Sequence, residues 1–147
     1  MPEQDERVRA RKKILALLER MDRTEQDLRQ RMKRSGFEEE LVEDAIAYAR
    51  QFGYIDDERY ARNYAKSRSG SKSHRQIEAE LRRKGFTGRL PEELYEEARP
   101  EEEAIRNLIR RKTDDVENLE PEARQKLAAS LYRKGFPSEL IRKELHL

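Results

Sequence analysis

The sequence predicts an all-α protein built as three tandem copies of one three-helix unit. Three observations carry this. Helix formers dominate while β-branched residues are scarce. A Gly-Phe pair recurs at Gly36-Phe37, Gly85-Phe86 and Gly135-Phe136, with spacings of 49 and 50 residues. Apolar residues around each pair fall at helical intervals.

The segments before the glycines align as LRQRMKRSGF, IEAELRRKGF and LAASLYRKGF. In each, apolar residues stand eight and four places before the glycine: Leu28 and Met32, Ile77 and Leu81, Leu127 and Leu131. That is one face of a helix. Basic residues precede each glycine, where positive charge suits a helix C-terminus. Glycine then supplies the left-handed residue that ends the helix.

A further amphipathic helix follows each joint, marked by Leu41, Leu90 and Leu140 and then by Ile46, Tyr95 and Leu145. Pro91 and Pro137 read as early helical positions. A first helix precedes each joint segment, carried by Ile14, Leu15 and Leu18, by Tyr60, Ala61 and Tyr64, and by Ile105, Leu108 and Ile109. Three such helices around a shared axis hide faces that none hides alone. Helices are expected near 4–21, 25–35, 38–52, 57–68, 74–84, 90–98, 101–113, 121–134 and 138–145. The repeats divide at 1–54, 55–98 and 99–147.

The joints agree with this plan. Thr24 with Asp27, and Ser73 with Gln76, read as helix caps or capping boxes. Pro121 reads as a first helical residue, and Asp56, followed by Asp57, as the cap opening the second unit. The connection between first and middle helices is short at Met21–Arg23, longer at Ser67–Ser73 and longest near Thr113–Glu120.

Charged residues make up 44% of the chain and hydrophobic residues 35%. So little apolar matter implies thin stripes and an elongated shape rather than one large core. Cysteine is absent, which removes disulfides and thiolate metal sites and suits the cytoplasm. No apolar run reaches membrane-spanning length, and the opening residues lack the apolar core of a signal peptide. His74 and His146 stand far apart and read as surface residues at helix ends rather than metal ligands. No Walker-type or dinucleotide-type glycine pattern occurs, and no nucleophile–base–orienter set can be assembled. The runs Glu38–Glu40 and Glu101–Glu103 suit helix starts better than catalysis. The expectation is a monomeric binding protein without cofactor or metal. Tyr60, Tyr64 and Phe37 fall at core positions rather than on a base-stacking platform.

Charge alternates along the chain. Residues 7–34 carry eleven basic and four acidic side chains, a net of +7; residues 37–58 carry one and eight, a net of −7. Residues 59–89 carry ten and two, a net of +8; residues 90–122 carry five and twelve, a net of −7. Residues 123–147 carry six and two, a net of +4. In the second middle helix Arg75 and Arg82 share a face opposite Ile77 and Leu81. With Arg83 and Lys72 they form a cationic stripe that suits phosphates or an acidic protein surface. The same stripe also reads as a solvated face paired with neighbouring acidic blocks. The basic Ser67–Ser73 loop reads either as a flexible contact for a phosphate backbone or as a connector.

These residues resemble the RecX family of bacterial recombinase regulators. The likeness runs through Ala16–Glu25 followed by Leu28-Arg29, through Gly53-Tyr54-Ile55-Asp56-Asp57-Glu58-Arg59-Tyr60-Ala61, and through Ile77–Gly85 and Lys126–Phe136. It spans nearly the whole chain. It departs at Ser71-Lys72-Ser73-His74, where the family often has a Gly-containing basic loop, and at Arg99-Pro100-Glu101, where an aromatic residue often opens the third unit. The resemblance implies a curved array lying in the groove of a RecA–DNA filament and lowering RecA's ATPase, strand-exchange and coprotease activities. Under it, RecA- or DNA-facing candidates are Arg68, Lys72, Arg75, Arg82, Arg83 and Lys84, then Arg110, Arg111 and Lys112, then Arg133 and Lys134. DNA is then met weakly or through the filament. Two other readings stay open from the residues: a general nucleic-acid-binding protein using its units like helix-turn-helix modules, and a purely structural adaptor.

Overall fold

The structure is a computed structural model that describes residues 2–147, with side chains from Gln4 onward. It contains the α-helices α1 (Pro2–Arg20), α2 (Glu25–Arg34), α3 (Glu39–Gln51), α4 (Asp57–Arg68), α5 (His74–Arg83), α6 (Glu101–Arg110), α7 (Pro121–Arg133) and α8 (Ser138–Leu145). No strand occurs among the described residues. The chain divides into two compact units, one of Met1–Ala61 with Leu81–Leu90, the other of Arg62–Glu80 with Pro91–Leu147.

In the first unit, α1 presents Ala10, Ile14 and Leu17 at i, i+4 and i+7, all buried. They meet Leu28 and Met32 of α2, and Val42, Ala45, Ile46 and Ala49 of α3, with Ile55 closing the cluster. Each fully buried large side chain here contributes about 1.5–3 kcal/mol. In the second unit, Ala104, Ile105 and Ile109 of α6, Leu131 of α7, and Ile141 and Leu145 of α8 enclose Phe136. The apolar pairs predicted for the middle helices therefore face inward: Leu28, Met32, Ile77, Leu81 and Leu131 are buried, and Leu127 packs at the margin.

Each middle helix ends in the same left-handed turn. Gly36, Gly85 and Gly135 have φ of 92°, 115° and 95°. The following phenylalanine N–H donates to the carbonyl five residues back: Phe37 to Met32 (3.3 Å), Phe86 to Leu81 (3.2 Å) and Phe136 to Leu131 (3.3 Å). The glycine N–H donates to Lys33, Arg82 and Tyr132 respectively. These paired bonds satisfy carbonyls that the helix leaves unpartnered.

The N-caps also form. Thr24 and Ser73 each accept an N–H three residues on, from Asp27 and Gln76, at 3.1 Å. Asp56 accepts the Arg59 N–H at 3.0 Å. Pro121 occupies the first turn of α7, whereas Pro137 is the residue before α8 rather than within it.

One predicted helix is absent. Residues 90–98 form successive turns, with Leu94, Glu96 and Ala98 each donating three residues back, instead of an α-helix. Gly88 at φ 77° breaks the chain before it, and Pro91 and Pro100 bias their preceding residues away from helical backbone. Leu94 is nonetheless buried, so the turns still deliver an apolar anchor.

Candidate functional site

The basic blocks divide into cations tied to the chain and cations left to solvent. In the first repeat, acidic α3 absorbs much of the charge of α1 and α2. The Arg11 guanidinium reaches Asp44 at 3.0 and 3.2 Å. Arg29 grips Glu43 at 2.8 and 2.9 Å and Glu25 at 2.6 Å, and Arg50 also pairs with Glu25. The Arg29 hydrogen bond holds the Glu43 carboxyl below the usual glutamate range against the opposing effect of its burial.

The candidate cations of the second repeat do not act alike. Arg82 shares a face with Arg75, as its spacing predicts, but its guanidinium donates to the Phe86 carbonyl at 3.4 Å and to the Gly88 carbonyl. It therefore closes its own turn. Lys72 is turned back onto Glu80, and Arg68 lies over the Tyr64 ring at 4.9 Å. Arg75 and Arg83 are exposed and held by no ion pair or hydrogen bond among the described residues. Lys84 is exposed and engaged within the chain.

In the third repeat, Arg110 donates to Asn107 at 3.0 Å. Arg111, Lys112, Arg133 and Lys134 are exposed and have no such tether among the described residues. Tyr132, next to the buried Leu131 on α7, is 65% exposed and does not join the core. Tyr60, Tyr64 and Phe37 are half-buried.

The Ser67–Ser73 segment is a pinned connector rather than a flexible one. Ser69 and Ser73 are buried. The Ser69 hydroxyl donates to Lys66 at 3.1 Å and accepts the Arg99 N–H at 2.8 Å. His74 opens α5 but is not a surface residue. Its ring is half-buried, stacks on Tyr95 at 3.6 Å between centroids, and sets Nδ1 3.2 Å from Glu101. Burial first, then the contact with Glu78 at 2.5 Å, drives the Tyr95 hydroxyl well above the usual phenol range. His146, by contrast, is exposed and ends α8 in a left-handed conformation, φ 57°.

The capping hydroxyls have a second role that spacing did not signal. Thr24 Oγ1 donates to the Lys84 carbonyl at 2.5 Å, inside the first compact unit. Ser73 Oγ donates to the Lys134 carbonyl at 2.6 Å, inside the second. Each hydroxyl thus accepts from its own helix and donates to the turn of the next repeat. The glycines beside those carbonyls permit the approach. A Cβ on Gly85 would overlap Gln26, and one on Gly135 would lie 2.9 Å from Ser73 Oγ and 3.1 Å from Arg75 Cβ. Asp57 adds a tie of its own, accepting the Glu25 N–H at 3.0 Å. Burial pushes its carboxyl up, that hydrogen bond pulls it down, and the negative charge of Glu25 raises it further.

Two arginines escaped sequence reasoning because nothing in a charge-rich chain sets them apart. Arg23 is buried, donating to the Leu17 carbonyl at 3.2 Å and to Asp27 at 3.3 Å. Arg124 gathers the Val116, Glu117 and Leu119 carbonyls at 2.8–3.3 Å and so holds the longest loop.

Fold and joints define an all-α protein of three-helix domains in tandem. Family models described as the first, second and third three-helix domains of RecX match residues 10–48, 56–98 and 100–145. The chain belongs to the RecX family of regulatory proteins. It is 32% identical over 142 residues to a regulatory protein RecX of Caldanaerobacter subterraneus subsp. tengcongensis, covering 94% of this chain and 70% of that one. It is 30% identical over 145 residues to one from Amycolatopsis mediterranei, covering 95% and 83%. A crystal structure of regulatory protein RecX superposes with a TM-score of 0.80 at 25% identity, over 99% of this chain and 75% of that one. The crystal structure of RecX from Lactobacillus salivarius gives 0.74 at 19% identity, over 97% and 96%, and speaks for the fold alone. No described helix is long and apolar enough to cross a membrane.

Proposed function

We propose that this protein binds a RecA–DNA filament and modulates RecA, chiefly by inhibition of ATP hydrolysis, strand exchange and coprotease activity. It does so as a cytoplasmic monomer, without a cofactor and without catalysis of its own, through repeats bounded at 1–54, 55–98 and 99–147. The observation that carries this reading is the partition of cations. Arg11, Arg29 and Arg50 are tied into intrachain pairs, while Arg75, Arg83, Arg111, Lys112, Arg133 and Lys134, like Lys12, Arg20 and Arg34 of the first repeat, stay exposed and untethered among the described residues. Untethered cations neutralise phosphates or acidic surface without first breaking an internal pair. RecX membership supports RecA as the recombinase.

The test is ATP hydrolysis by RecA on single-stranded DNA with sub-stoichiometric amounts of this protein. The expected result is a lowered rate that falls with filament length. Unchanged hydrolysis and length would overturn the proposal. Salt-steep binding to naked DNA in that case would favour a general nucleic-acid-binding role.

A further inference from the structure

The two interlocked joints have a third, empty counterpart. In the second and third repeats, the residue before the glycine (Lys84, Lys134) offers its carbonyl to the capping hydroxyl of a preceding helix, and the bare glycine lets that helix settle. The first repeat builds the same turn from Ser35 and Gly36, with the same bonds from Gly36 to Lys33 and from Phe37 to Met32. Yet a Cβ on Gly36 would meet nothing within 4 Å. A cavity of about 210 Å³ opens there, lined by Glu6, Arg9, Gly36, Phe37, Glu38 and Leu41.

The opposite face of the device is missing from the third repeat. The residue before α7 is Glu120, which makes no side-chain cap and has no hydroxyl to donate. Thr24 and Ser73 are already committed. Among its described residues a second copy of this chain therefore brings no free capping hydroxyl to the empty turn.

We propose that the Ser35-Gly36 turn is a docking socket for a helix of another protein, entering by an amino terminus capped with Ser or Thr. The internal joints specify the fit: a hydroxyl at the cap to reach the Ser35 carbonyl, and a slender stem two residues on to rest against Gly36, as Gln26 and Arg75 rest against Gly85 and Gly135. The electrostatics agree. The partial negative end of α2 meets the partial positive start of the incoming helix. Lys33 and Arg34, exposed in the last turn of α2, favour acidic residues in the visitor's first turn, as α2 itself carries in Glu25 and Asp27.

The probe is a lactam-constrained helical peptide copying residues 22–34, titrated into the full-length 15N-labelled protein. Saturable shifts of the Ser35, Gly36 and Phe37 amides are expected, with at least tenfold weaker binding for the same peptide carrying Thr24→Val. The protein is unaltered in both arms, so misfolding does not enter. No saturable shift at those amides, equal binding by the valine peptide, or shifts confined to Lys84–Phe86 would each overturn the proposal. The outcome is independent of whether RecA responds to this protein.

Discussion

The Ser73 hydroxyl lies 2.6 Å from the Lys134 carbonyl while it accepts the Gln76 N–H at 3.1 Å, so one oxygen both starts α5 and fastens it to the turn after α7. Thr24 does the same toward Lys84. Ser73→Ala removes a cap and leaves a carbonyl short of a partner, a loss of about 1–3 kcal/mol. Thr24→Val acts alike in the first unit. Ser67→Ala, exposed and bonded to the Tyr64 carbonyl, changes stability by less than about 0.5 kcal/mol. Urea denaturation of the three variants checks the order; equal midpoints would remove the second role of the caps.

The glycines separate backbone strain from docking. Gly36→Ala carries only the cost of a left-handed alanine, about 1–2 kcal/mol. Gly85→Ala carries that cost and a clash with Gln26, so it destabilises more. Gly85→Val is worse still, because β-branching is poorly tolerated in that backbone region. Thermal melts that place Gly36→Ala and Gly85→Ala together would contradict the close approach.

Arg75, Arg82 and Arg83 are alike in sequence and unlike in duty. Charge reversal at Arg75 and Arg83 is expected to weaken filament binding several-fold with unchanged circular dichroism; the melting temperature is unchanged for Arg83→Glu, while Arg75→Glu also alters a stem that rests against Gly135. Arg82→Glu is expected to lower stability by about 1–2 kcal/mol, since it deprives the Phe86 and Gly88 carbonyls of a charged donor. A stable Arg82→Glu protein would show that this guanidinium is not structural.

Two carboxyls give opposite pH dependences. Glu43 is held low by Arg29, so its stabilising effect is complete above the ordinary glutamate pKa and is lost as pH falls through its lower folded value. Asp57 is held high, chiefly by burial, so its destabilising effect grows as pH rises from the ordinary aspartate value through the raised one. Asp57→Asn keeps an acceptor for the Glu25 N–H. Its melting temperature relative to the parent is expected to rise between acid and neutral pH. That of Glu43→Gln is expected to fall over the same range. Parallel curves for parent and variants would dismiss both shifts.

Periodicity sufficed for what depends on neighbours along the chain. Leu28 with Met32, Ile77 with Leu81 and the three Gly-Phe joints were legible because a helix repeats every few residues and a left-handed turn favours glycine. The cap residues Thr24 and Ser73 were legible for the same local reason. The 90–98 stretch has the apolar spacing of a helix, but Gly88, Pro91 and Pro100 turn its backbone away from helical conformation at both ends.

Only the folded chain decided which arginines are spoken for. Arg23, Arg82 and Arg124 find carbonyls that lie four to eight residues away, and Arg29 of α2 finds Glu43 of α3. Local sequence does not encode those meetings, because a long flexible side chain takes whichever partner packing brings near. The same holds for the second bond of Thr24 and Ser73. Their capping role is written in the next three residues, but their grip on Lys84 and Lys134, some sixty residues on, exists only once the repeats have packed.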